Sequence, residues 1–173
     1  MATSCSCVLS EYTLACRNNT GGIQKIWISC YDSNITWTLD GTNVITGATG
    51  GSGNSWYAFE QEIETGSFLQ NGQFSTENGT TFFEQVLEIT LHKMDAAQRN
   101  RIQSLVIGAW RVIVLDQQGT YWMMGFQNPV RVSSATPQLG KAYGDLNGAI
   151  LTFNGKEPEN AYSIQTAFAL TLI

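Results

Sequence analysis

The sequence is short of charge. Of its 173 residues only 13% are Asp, Glu, Lys or Arg, against about 25% in an ordinary soluble domain. Ser, Thr, Asn, Gln and Gly take up the difference. So few surface charges leave little to keep copies of the chain apart. This points to a protein that works assembled, with much of its surface covered by neighbours. The balance is acidic, with a net charge of −5. That is the wrong sign for a clamp that holds nucleic acid by displacing counterions.

Long apolar runs are also missing. No stretch approaches the roughly 20 apolar residues of a membrane-spanning helix, so no membrane partner is expected. The opening MATSCSCVLS has neither the basic region nor the apolar core of a signal peptide. Histidine occurs once, at His92. No serine or cysteine motif accompanies it, so a structural role is expected rather than that of a general base. Walker, zinc-protease and EF-hand patterns are absent. Cysteine is confined to Cys5, Cys7, Cys16 and Cys30, and the Cys5-x-Cys7 spacing is tighter than a zinc knuckle allows. Buried thiols in a protein made in the cytoplasm are the expectation, with a metal or disulfide site as the alternative. No enzymatic activity, cofactor or metal is expected.

What is present is glycine, and one stretch invites a nucleotide. Val44–Gly53 reads VITGATGGSG and matches the TGxxxGxG pattern of short-chain dehydrogenases. A dinucleotide cradle needs a strand before the glycines, a helix opening at the last of them and a parallel strand afterwards. Here NSWYAFEQEIE follows and alternates as a strand. TGSFLQNGQFSTENG beyond it is too polar for a buried parallel strand, and no tyrosine has a lysine four residues later. The segment is therefore expected to be a loop, which Gly47, Gly50, Gly51 and Gly53 make sterically permissive.

Strand signals dominate the rest. Gly22–Cys30, Asn34–Leu39, Trp56–Glu64 and Thr81–Leu91 alternate apolar and polar residues. Trp110–Leu115 and Thr120–Phe126 flank a DQQG turn. Gly148–Phe153 and Tyr162–Ile173 follow a proline- and serine-rich connection, Asn128–Gly140. One helix is predicted at about 95–107, capped by Asp95, with Ile102, Leu105 and Val106 as its apolar stripe. Gly108 is expected to close it in a left-handed turn. Strands, one helix, then strands again predict a mainly β fold: an antiparallel β-sandwich or barrel with one packed helix. A single domain over 1–173 is expected, with an N-terminal arm at 1–20. Long loops at 40–55 and 65–80 suggest contacts beyond the subunit, with the four glycines and Phe68 and Leu69 as candidate inter-subunit residues.

The carboxylates fall in rows. Glu60, Glu62 and Glu64 share one strand parity, and Glu84 and Glu88 share another. If the two strands pair, these five residues make one acidic sheet surface. It is either an ordinary solvated face or a wall that repels a polyanion.

Three stretches, GGIQKIWIS, GTYWMMG and GDLNGAILTFNGKEPENAY, resemble structural proteins of tailed phages of Bacteroidetes, including crAss-like phages. The resemblance covers most of the chain in the same order and points to tail-tube subunits. It implies a β-sandwich or barrel of tail-tube type with one flanking helix, in stacked hexameric rings with a lumen of long β-hairpins. The two glutamate strands are then lumen candidates and the loops are contacts to neighbouring subunits. Partners would be other copies of the chain, a terminator, a tape measure and a baseplate or hub protein. Double-stranded DNA would pass through without specific binding. Location would be the virion tail, after synthesis in the host cytoplasm. A terminator, connector ring or hub of the same fold is the nearest alternative. A carbohydrate-binding β-sandwich, with Trp27, Trp37, Trp56 and Tyr57 exposed for stacking on sugars, is a further one.

Overall fold

A computed structural model describes residues 11–14, 17–51 and 55–173. Cys5, Cys7, Cys16 and Gly53 lie outside the described residues, as does most of the predicted N-terminal arm. The fold is mainly β. In chain order the elements are β1 (Ile23–Cys30), β2 (Thr36–Leu39), β3 (Ile45–Thr49), β4 (Tyr57–Glu60), β5 (Ser67–Ser75) and β6 (Thr80–His92). Helix α1 (Ala96–Ile107) leads to β7 (Trp110–Asp116), β8 (Tyr121–Met124), β9 (Arg131–Gln138), β10 (Gly148–Glu157), β11 (Tyr162–Ile164) and α2 (Thr166–Leu172).

Two sheets result, and neither closes into a barrel. The larger runs β2-β3-β11-β8-β7-β1-β4 and the smaller β5-β6-β10-β9. Every pairing is antiparallel except that of β11 with β3. The sheets face each other across one core. The larger contributes Ile23, Ile26, Ile28, Val112, Val114 and Met124; the smaller adds Leu87, Ile89, Leu91, Leu151 and Phe153. Each fully buried side chain of this size contributes about 1.5–3 kcal/mol. Ile102 and Leu105 of α1 seal the same core. A second cluster, with Trp27, Ile45, Ile113, Tyr121, Met123 and Ile164, covers the other side of the larger sheet and is closed by Ala169 of α2. This explains the nearly continuous apolar run of β7 and the burial of residues 26–29 in β1: both faces are covered there.

Local chemistry sets the turns. Asp40 Oδ1 accepts from Thr42 N at 2.8 Å and Val44 N at 2.9 Å. The Val44 bond, then those from Thr42, holds its carboxyl below the usual carboxylate range. Asp95 caps α1 by accepting from Gln98 N at 2.8 Å.

Several expectations need correction. Gly108 ends α1 in an extended conformation (φ −75°), not a left-handed one. A Cβ there would stand 2.1 Å from the Trp110 indole, so the glycine is required by close packing. Val106 is exposed and leaves the helix stripe to Ile102 and Leu105. The described residues hold two helices, because the segment predicted as a last strand turns into α2 after Ile164. Both long loops contain strands: β3 lies in 40–55 and β5 fills most of 65–80. β9 occupies much of the connection at 128–140, and as an edge strand it tolerates Pro137.

Candidate functional site

Among the described residues, nothing covers the outer face of the smaller sheet. In β6 the odd positions Gln85, Leu87, Ile89 and Leu91 are buried. Phe82, Glu84, Val86, Glu88 and Thr90 therefore point away from the core. Register brings Leu69, Asn71 and Gln73 of β5 alongside them on one flank. Ile150, Thr152 and Lys156 of β10 lie on the other. The face mixes polar side chains with Leu69, Phe82, Val86 and Ile150, and its charges are Glu84, Glu88, Lys156 and, across from Asn154, Arg131. Asn154 Nδ2 donates to Glu84 Oε1 at 2.7 Å, and Lys156 Nζ sits 5.5 Å from the Phe82 ring centre. Glu88 is exposed between Ser67 and Thr152.

The five glutamates do not share this face. Glu60 lies on β4 in the other sheet, opposite Lys25, whose Nζ is 3.2 Å from its carboxylate. The predicted strand over Trp56–Glu64 stops at Glu60. Gln61 Oε1 accepts from Thr90 N at 3.1 Å, and Thr65 N donates to Glu62 O at 3.3 Å. Glu64 has a positive φ of 65°. Glu62 and Glu64 thus belong to a tight crossing from one sheet to the other, and the predicted acidic surface is reduced to Glu84 and Glu88.

The candidate inter-subunit residues also separate. Gly47 lies within β3, paired with Thr38. Gly50 and Gly51 follow β3 with φ of 79° and 83°, a conformation that favours glycine. The stretch leads into β4, a strand, not the helix a dinucleotide cradle needs. Phe68 packs on the core, and Leu69 stays exposed on the outer face. Of the proposed sugar-stacking aromatics, Trp27 is buried, while Trp37 and Trp56 pack on the second cluster. Tyr57 alone of the four is exposed.

Two features escaped the sequence. The distal β5–β6 hairpin projects as an arm, with Phe74 72% exposed and edge-on to Phe83. The other is a buried polar knot. Arg111, on the second-cluster side of β7, lies with its guanidinium carbon 4.7 Å from the Tyr31 ring centre and 5.2 Å from that of Trp37. A lone arginine inside WRVIVL was the available signal. Among the described residues no group of His, Cys, Asp and Glu is arranged to hold a metal, and no helix is long and apolar enough to cross a membrane. Cys30 is exposed at the end of β1. Comparison of the chain with protein-family models, with curated proteins and with solved structures gives no match.

Proposed function

We propose that this chain is a structural protein of a phage virion whose copies assemble into rings, stacked as the tail tube. The observation that carries this is the four-stranded sheet. One face is sealed on the core, the other is left uncovered by the described residues, and the edge strands β5 and β9 each pair with a strand on one side only, β9 also lying against α1. Edges as long as these invite further strands unless something covers them. Copies of the chain covering one another's edges would answer that need. The low charge of the whole chain and its resemblance to tail-tube proteins support the same conclusion.

Six copies joined edge to edge would set 24 strands side by side. At about 4.8 Å per strand this gives a circumference of about 115 Å, larger once the strands tilt. The uncovered face would line the lumen, with Glu84 and Glu88 as its carboxylates. Its cations, Lys156 and Arg131, are matched in number by these carboxylates, which leaves phosphates little net charge to hold, so DNA would pass without sticking. Sugar binding is less favoured because its aromatics are largely packed.

Negative-stain microscopy of the purified protein is the test. Rings or tubes are expected, whereas a strictly monomeric species at high concentration would sink the proposal. Rings that never stack would favour a terminator or connector of the same fold.

A further inference from the structure

The arm at one end of β6 and a cleft at the other complement each other. At the arm, Phe74 is exposed, and Glu77 is the sole charged residue from Ser67 to Phe83. At the far end, Thr90, Leu91 and His92 form one wall of a cleft of about 690 Å³ that runs between α1 and β4. Tyr57, Phe59, Leu105 and Trp110 give it an apolar lining. Its acid, Glu60, is engaged by Lys25. Its base, Arg101, meets the neutral amide oxygen of Gln98 at 2.6 Å. Between arm and cleft lies β6, 13 residues long, or about 40 Å at strand spacing.

We propose that the hairpin tip of one copy docks in the cleft of the next, with Phe74 on the aromatic lining and Glu77 against Arg101. The partner is a second copy because exposed apolar surface meets an apolar cleft and an acid meets a base within the same chain. Donor and acceptor surfaces differ and lie at opposite ends of one strand. The contact is therefore heterologous and repeats along the strand direction instead of closing on a pair. The inference rests on the tube reading and supplies its stacking contact and its polarity.

Glu77 and Arg101 are both exposed, so charge reversal tests docking with little burden on folding. Sedimentation and negative-stain microscopy would compare the full-length wild type, Glu77→Arg, Arg101→Glu and the double reversal, with circular dichroism to check folding. Each single reversal is expected to abolish stacks at concentrations where the wild type stacks, leaving single rings, and the double reversal to restore them. Phe74→Ser should also lose stacks. Wild-type stacking by the single variants, or a double variant no better than either single, would overturn the docking contact and leave the tube reading standing. A wild type that forms neither rings nor stacks would overturn both.

Discussion

Arg111 and Glu157 grip one turn from its two sides. Arg111 Nε donates to Gly125 O at 2.9 Å and Nη2 to Phe126 O at 3.3 Å. Glu157 Oε1 accepts from Gln127 N at 3.0 Å and Asn128 N at 2.9 Å. Nη1 of Arg111 reaches Asp32 O at 3.3 Å, tying in the segment after β1. Both side chains are buried, at 2% and 4% exposure, so each charge depends on the arrangement around it. Arg111→Met is expected to cost about 3–5 kcal/mol, because three backbone carbonyls lose a charged donor at about 1–3 kcal/mol each. Urea unfolding measures it, and a loss below about 1 kcal/mol would mean the turn holds without the guanidinium.

Glu157 also gives stability a pH dependence. Burial pushes its carboxyl above the ordinary value of 4.5, more than the N–H groups of Asn128 and Gln127 and the charge of Arg111 pull it down. The folded state therefore holds this proton more tightly than the unfolded chain. The contribution is full below 4.5 and is lost as pH rises through the folded-state value. The stability of the wild type relative to Glu157→Gln should then fall with rising pH over that interval. Unfolding curves of both proteins across a pH series check this. A difference that grows with pH would reverse the assignment.

Gly108 and Trp110 should show strong coupling. Indole Nε1 donates to Leu105 O at 2.7 Å, which satisfies a carbonyl in the last turn of α1 and holds the ring over Gly108. Gly108→Ala is expected to cost about 1–3 kcal/mol through overpacking. In a Trp110→Leu background most of that cost should vanish, because the clashing atoms are gone. A double-mutant cycle with additive effects would rule out the contact as the reason for glycine.

If the uncovered face lines a conduit, Glu88→Lys should act on transport, not on folding. Glu88 is exposed, so stability should change by no more than about 0.5 kcal/mol. Each ring would then present added cations to passing phosphates, and DNA ejection from intact particles should slow. Glu62→Lys, off that face, should leave ejection unchanged. Equal effects from both substitutions would point to net charge and away from a lumen.

Much of this fold was legible in the sequence, and the errors have physical causes. β1, β6, β7 and β8 carry strong alternating or doubly buried patterns, and Asp95 marks the start of α1 plainly. The glutamate row misled because its alternation continues unbroken while the chain leaves the strand. Gln61 spends its side chain on Thr90 instead of continuing the ladder, an interaction with a residue 29 positions away. β5 looked like a loop because it is an edge strand with polar residues on its open face. α2 was missed because Thr and Leu in TAFALTL suit a strand equally well; its position is fixed by Ala169 entering the second cluster, a tertiary fact. The cleft draws Tyr57, His92, Arg101 and Trp110 from four separate elements, so no local pattern announces it.

The larger sheet is stitched in an order that the ribosome cannot follow. β2 and β3 are made early, yet they reach the rest of the sheet through β11, where Ile45 pairs with Ile164 and accepts Gln165 N at 2.9 Å. This hairpin has no strand partner in the larger sheet until nearly all the remaining strands are synthesised. Completion of the larger sheet therefore waits for β11 to be made. A chain translated only as far as β10 cannot hold β2 and β3 in the larger sheet.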